Sequence, residues 1–562
     1  MFTQKKIATW TIVFSVFISV GWFFNNSMAN SNEEVYYKID RGLHYLREVF
    51  ETVSRNYVDE VDPEVLSKAA IQGMLKDFDP YTVFFKDPGS QQMRMITRGK
   101  YGGVGMEISV QEDDVTVIAP MEGSPAKRAG IRAGDIILKI DGVATADMNL
   151  QNASEQLRGK VGTEVSITLH RPGLTDPIQL TLVREEIVLK DVTYADFIEP
   201  GTAYFRLSAF SDKAGTELRS AIKSLQKTAP IERVILDLRG NPGGLLTAAV
   251  EVANVFLPAG QLVVSTRGSH ESENRFYTKE APLLPRQQLV VLVNESSASA
   301  SEIVAGAIQD LDRGVLVGTE TFGKGLVQKV YPIDKIHQAY LKITTAKYYV
   351  PSGRSIQKED YKKDFKVFID HSDSVEYNKQ VNFFTTNRRV VHAGGGIHPD
   401  VEISRNSMDR FTQNLLAKGM FFQFTVDYLS NHTEFADARD VPVDEKVLKA
   451  FEKYVQDRQF DYEMEGESEL AAFLKISQKK QYDADIQDLV SVALQKLKAG
   501  KRQKFQSQKK ALQQMLTAEF AEKAGGLKTR IEATMPFDKQ LQGALNVLQN
   551  RTEYRDILAT NQ

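Results

Sequence analysis

Leu289-Val290-Val291-Leu292-Val293-Asn294-Glu295-Ser296-Ser297-Ala298-Ser299-Ala300-Ser301-Glu302 is the stretch on which the fold turns. Its first five residues are apolar without a break, the pattern of a strand buried on both faces. A serine-rich turn follows, and then the apolar residues Ile303-Val304-Ala305. Ser299 and Glu302 stand at the spacing of a helix capping box. Alone, these residues support a capped helix start and no chemistry.

Working outward, residues 187–410 alternate between two periodicities. Strands are expected at Thr202–Leu207, Val234–Leu238, Leu289–Val293 and Gly314–Val317, and helices at Ala214–Lys227, Leu245–Phe256 and Ser301–Gln309. Such alternation predicts an α/β layer with largely parallel pairing. Residues 85–186 instead carry short apolar runs divided by glycine, proline and aspartate turns, with one helical stretch near Asn152–Leu157. Residues 31–84 follow a helical pattern through Val35, Ile39, Leu43, Leu46, Val49 and Phe50, continuing to about Lys76. Beyond residue 411 the chain is helical, polar and rich in lysine and glutamine, and 411–562 reads as a helical packing or interaction extension.

Within residues 85–186, Tyr101-Gly102-Gly103-Val104-Gly105-Met106 is a glycine loop running into a strand, and Ser124-Pro125-Ala126 through Gly134-Asp135-Ile136-Ile137 follows it. Together the two segments resemble a PDZ domain. Glycines let successive N–H groups turn inward around a terminal carboxylate, and the strand edge beyond accepts a peptide as an added strand. Tyr101 to Met106 are therefore the candidate peptide-binding residues.

Two more strings bear on chemistry. Val234-Ile235-Leu236-Asp237-Leu238-Arg239-Gly240-Asn241-Pro242-Gly243-Gly244 ends in a glycine turn able to aim backbone N–H groups at an oxyanion. Thr321-Phe322-Gly323-Lys324-Gly325-Leu326-Val327-Gln328 sets a lysine between glycines, where the chain can approach another element closely. Lys324 and Gln328 are four apart and share one face if the segment is a strand. A buried lysine sheds its proton readily and can serve a serine as general base.

These strings, with Pro351-Ser352-Gly353-Arg354-Ser355-Ile356-Gln357 and the PDZ-like unit ahead of them, resemble the C-terminal processing peptidases, or tail-specific proteases, over residues 35–405. The resemblance implies an α/β peptidase core like that of Clp proteases and crotonases. It implies Ser299 as nucleophile, Lys324 as base and Gln328 as its assistant. The implied oxyanion donors are the N–H of Ala300 and that of Gly243 or Gly244. A long insertion between Gln357 and Gly394 departs from the family pattern.

Several alternatives fall away. Gly318 through Lys324 fits a phosphate loop, but Gly325 cannot supply the hydroxyl that holds Mg²⁺. Pro242 occupies the position at which trypsin-like exported proteases carry their serine. The 8 histidines lack metal-ligand spacing, so neither a metal nor a cofactor is expected. A net charge of −3 gives no case for nucleic acid, and 0 cysteines exclude disulfides and thiol chemistry. The rival from another class is a non-catalytic exported PDZ scaffold, against which stands the retention of both serine and lysine.

Lys5 and Lys6 precede an uncharged run from Ile7 to Phe24. As a helix that run rises about 27 Å, near the hydrocarbon thickness of a bilayer. Residues 1–30 are thus expected to be a signal anchor, or a signal peptide cleaved after Ala29. The remainder is placed in the periplasm, facing it from the inner membrane in the first case. Expected partners are protein substrates with accessible apolar C-termini and the membrane, with room for an adaptor or a homo-oligomer.

Overall fold

The computed structural model describes residues 34–86, 95, 97–111, 113–269, 271–334, 336, 339–358, 382–404, 408–432, 435 and 437–559. The apolar run Ile7–Phe24 and most of the insertion after Gln357 lie outside the described residues. Among the described residues, no helix is long and apolar enough to cross a membrane.

The chain divides into two units, Met1–Phe84 and Phe85–Gln562. In the first, the helical pattern expected to run unbroken to Lys76 is two helices, 34–56 and Pro63–Leu75. The break has a local cause. Asp62 accepts the N–H of Glu64 as an N-cap and Pro63 follows at the first helical position, where its missing N–H costs nothing.

In the second unit the PDZ domain is an antiparallel sheet. Its strands are ordered Met106–Gln111, Asp114–Pro120, Ile136–Ile140, Glu164–His170 and Ile178–Val183. Val104, Val117, Ile137, Ile140, Ile167 and Leu169 fill its core against the helix Leu150–Leu157. Met106–Gln111 stands at the end of the sheet, so its outer edge meets no strand among the described residues.

The α/β core is a six-stranded sheet ordered Val192–Glu199, Thr202–Leu207, Arg233–Asp237, Gln288–Val293, Val315–Gly318 and Val401–Glu402. Only the first pair is antiparallel. On one face Phe205, Leu236, Val291 and Leu316 pack on the helices Ala214–Gln226, Leu246–Ala253 and Ala300–Asp310. On the other, Tyr204, Ile235, Val290, Leu292 and Val317 meet Leu541, Ala544, Leu545, Leu548 and Tyr554. These last residues belong to the helices Lys539–Gln549 and Arg551–Leu558. The end of the helical extension is therefore the third layer of the α/β core. The central strands read as unbroken apolar runs because both of their faces are covered.

The rest of the extension has a core of its own around Phe411, Leu415, Phe421, Phe424, Phe451, Leu516 and Phe520. It also meets the PDZ domain. A Cβ on Gly134 would lie 2.5 Å from Val426 Cγ1, so the PDZ backbone runs hard against the helix Met420–Asn431. A second sheet, ordered Leu326–Asp334, Ala339–Tyr349, Leu262–Gly268 and Glu271–Tyr277, is antiparallel and follows directly on Lys324.

Candidate active site

Ser299 lies between the strand Gln288–Val293 and the helix Ala300–Asp310, whose residues are all buried. Its φ of 55° and ψ of −111° are outside the range of an ordinary N-cap. Such a backbone costs on the order of 1–3 kcal/mol and persists only where its surroundings over-determine it. Those surroundings are a set of hydrogen bonds. The N–H of Ser299 donates to Glu302 Oε2 at 2.8 Å, and the N–H of Ala298 to the Asn241 carbonyl at 3.0 Å. The N–H of Phe322 donates to the Ser297 carbonyl at 3.0 Å.

The four serines of the turn are not equivalent. The buried Ser297 hydroxyl donates to the Leu238 carbonyl, and that of Ser301 to the Asn241 carbonyl, each at 2.9 Å. Both are taken up in bracing the glycine turn against the strand end. Ser296 is exposed. Ser299 is also buried, but its side chain does not brace the glycine turn; it stands with Glu302 in a capping box at the start of the helix.

The glycine turn sits directly on this bend. A Cβ on Gly243 would lie 2.9 Å from both Ala300 N and Ser299 Cβ, and its φ is 98°, so only glycine fits. The N–H of Gly243 donates to Asn241 Oδ1 at 2.9 Å. The N–H groups of Gly244 and Ala300 have no acceptor among the described residues. The Gly243 N–H is thus taken up inside the turn, and that of Gly244 is not.

Lys324 comes to Ser299 through Glu302. That carboxylate is fully buried and accepts four hydrogen bonds. Oε1 takes the Thr321 hydroxyl at 2.6 Å and the Gly323 N–H at 2.7 Å; Oε2 takes the N–H groups of Ser299 and Lys324, each at 2.8 Å. Two bonds to one atom hold the serine and lysine backbones no further apart than twice that length. Burial pushes the Glu302 carboxyl above its usual range, and the four donors work against that rise.

The lysine loop is fixed from outside as well. The N–H of Gly325 donates to Gln357 Oε1, and that of Tyr348 to the Gly325 carbonyl, both at 2.8 Å. The Thr321 hydroxyl oxygen accepts the Ile397 N–H at 2.7 Å. Burial pushes the Tyr348 phenol up to about 12, while the adjacent Ser299 side chain acts in the other direction. Arg354 is buried with Asp310 at 2.8 Å, at the far end of the helix that Ser299 begins. Glu302, Asn241, Gln357 and Tyr348 are residues whose work the sequence reading missed. The Ser-x-x-Glu spacing was a signal for the first, although it gave no hint of the lysine loop.

Lys324 lies two residues before the strand Leu326–Asp334, and the register slips between Val327 and Gln328, where Thr345 of the partner strand is the extra residue. The Gln328 amide donates to Thr344 Oγ1 at 3.3 Å. The loop runs into a strand and not a helix, which also removes the phosphate-loop alternative. In the PDZ domain, Tyr101 to Gly103 lie on the strand Lys100–Gly103, paired with Glu185–Val188. Val104 and Gly105 connect it to Met106, the first residue of the open-edged strand.

Four family models match successive parts of the chain. They are the activating protease CtpB N-terminal domain over residues 18–88, a PDZ domain over 116–171, peptidase family S41 over 201–367, and the probable PDZ-protease C-terminal helical domain over 411–548. A carboxy-terminal-processing protease of Bartonella bacilliformis is 40% identical over 335 residues, covering 59% of this chain and 75% of that protein. A carboxyl-terminal-processing protease of Picosynechococcus is 40% identical over 287 residues, covering 50% of this chain and 67% of that protein. The solved photosystem II D1 C-terminal processing protease is 29% identical, with a TM-score of 0.35, over 64% of this chain and 92% of that one.

Proposed function

The chain belongs to peptidase family S41 as a PDZ-bearing carboxy-terminal-processing protease, and from that premise we propose that Ser299 and Lys324 form its catalytic dyad. The observation that carries the reading is Glu302, one oxygen of which holds the N–H groups of both residues. Neutral Lys324 takes the proton of Ser299 as its Oγ attacks a peptide carbonyl. The N–H groups of Ala300 and Gly244 receive the oxyanion. Lys324 returns the proton to the leaving amine, and water then hydrolyses the acyl-enzyme. Gln328, held by Thr344, borders the lysine loop and supports its orientation.

The proposal extends to substrate choice. The open edge of Met106–Gln111 takes the tail of a protein substrate as an added strand, with its carboxylate at Tyr101–Gly105 and its apolar last residues in the groove beside Leu150–Leu157. The uncharged run from Ile7 to Phe24 behind two lysines supports export, with the enzyme working in the cell envelope, anchored or released.

The test is cleavage of an unfolded protein ending in apolar residues. Ser299→Ala and Lys324→Ala should each abolish it while circular dichroism shows a folded chain, and amidating the substrate's C-terminus should weaken binding. Full activity in folded Lys324→Ala would sink the dyad, and indifference to amidation would sink the tail reading.

A further inference from the structure

The oxyanion turn is tied to the C-terminal part of the chain through one side chain. Arg239 opens the turn, and its own N–H and its Nε both donate to Asp237 Oδ1 at 2.9 Å. Its Nη2 donates to Asp237 Oδ2 at 2.7 Å. Asp237 is fully buried, and it also accepts the Tyr204 hydroxyl at 2.5 Å. The other side of the guanidinium faces the third layer. Nη1 donates to Asp538 Oδ1 at 2.9 Å and to Gln540 Oε1 at 3.1 Å, and Nη2 lies 2.8 Å from Asp538 Oδ2. Gln540 is itself buried and anchored by its amide to the Ile403 carbonyl at 2.8 Å.

The neighbours of Arg239 are the residues that shape the site. On one side the Leu238 carbonyl accepts the Ser297 hydroxyl and the Asn241 N–H. On the other the Gly240 N–H donates to Asn294 Oδ1 at 3.0 Å. Gly243 and Gly244 follow within one turn, Gly243 against Ser299 and Ala300 and Gly244 against Phe210. A guanidinium has a rigid, planar fork, so carboxylates on both sides fix the direction of its whole side chain and the position of the backbone that bears it.

We propose that Asp538 and Gln540 are positioning residues for peptide hydrolysis: by clamping Arg239 they hold the Gly240–Gly244 turn where its N–H groups meet the oxyanion. The helical extension is on this account part of the catalytic machinery as well as a cover for the sheet. The inference rests on the serine peptidase reading above.

Asp538 also N-caps the helix Lys539–Gln549 by accepting the N–H groups of Gln540 and Leu541. Asparagine caps a helix about as well as aspartate, so Asp538→Asn keeps the cap and removes the charge from the clamp. Expected in Asp538→Asn is a fall in kcat of about tenfold with KM within about twofold of wild type, part of the 10²–10³ that a lost oxyanion donor costs. Affinity for a peptide boronic acid, which forms a tetrahedral adduct on the serine, should fall in step with kcat. Affinity for the product peptide should not change. Folded Asp538→Asn with wild-type kcat and boronate affinity overturns the proposal, as does a kcat loss that only matches the fraction unfolded.

Should that variant fail to fold, Gln540→Met removes the second contact, with a threefold fall in kcat or more expected and an unchanged kcat overturning the proposal. Cleavage that survives Ser299→Ala would instead overturn the assignment of Ser299 as the nucleophile. Cleavage abolished by Ser299→Ala but untouched by Asp538→Asn removes only the present inference.

Discussion

At the residue scale the account depends on Glu302 more than on any other side chain outside the dyad. The sequence marks it as a helix cap, and a cap it is, since it takes the N–H of Ser299. Its other three donors come from a loop about twenty residues on, a partnership that no local spacing announces. Glu302→Gln turns one acceptor oxygen into an amide that faces two N–H donors, leaving buried donors unpaired at about 1–3 kcal/mol. The expected outcome is a kcat at least tenfold lower with KM little changed, read by steady-state kinetics on a short peptide. A KM effect alone would mean that Glu302 serves substrate binding instead. The resemblance of its string singled out Ser299 among the four serines; the structure adds that Ser297 and Ser301 are taken up in bracing the glycine turn.

At the element scale, legibility followed burial. Strands covered on both faces, such as Arg233–Asp237 and Gln288–Val293, carry unbroken apolar runs and were found to within a residue. The strands Leu262–Gly268 and Glu271–Tyr277 belong to the second sheet and mix charged with apolar residues, so they gave no comparable signal. The long helix Lys509–Thr534 shows what else a pattern hides. Its Lys523 is half-buried, with the ammonium over the Phe422 ring and Glu519 and Glu522 near it, and desolvation lowers its pKa to about 8. Below that pH both the folded and unfolded chains hold the proton, and the fold bears the whole penalty of the buried charge. Between about 8 and the ordinary lysine value near 10.4 only the unfolded chain holds it, so stability rises with pH across that window. Urea unfolding of wild type and Lys523→Met at pH 7 and pH 10 should show wild type gaining on the variant, by on the order of 2 kcal/mol. A difference that stays flat with pH would mean that Lys523 is solvated.

At the scale of the whole molecule, residues 411–562 are where sequence and structure part most. They read as a separate extension because their partners are remote in sequence. The structure distributes them among an aromatic core of their own, a layer on the peptidase sheet and a contact with the PDZ domain. The PDZ contact has a specific test. Gly134→Ala would set its Cβ against Val426 on top of a φ of 90°, and should lower stability by about 1–3 kcal/mol. Val426→Ala should restore part of that loss, because it removes the atoms that clash and leaves only the backbone strain. No recovery in the double variant would mean that the two domains are not in contact there.

The central claim, that Ser299 is the nucleophile and Lys324 its base, is tested most directly by identifying the residue acylated during turnover. The enzyme is mixed with an activated ester of an apolar acyl group, quenched in acid within one turnover, digested and mapped by mass spectrometry. The account predicts the acyl group on Ser299 and not on Ser296, Ser297 or Ser301, with no adduct in Lys324→Ala. An adduct on another side chain, or an adduct on Ser299 that forms at the wild-type rate without Lys324, would contradict it.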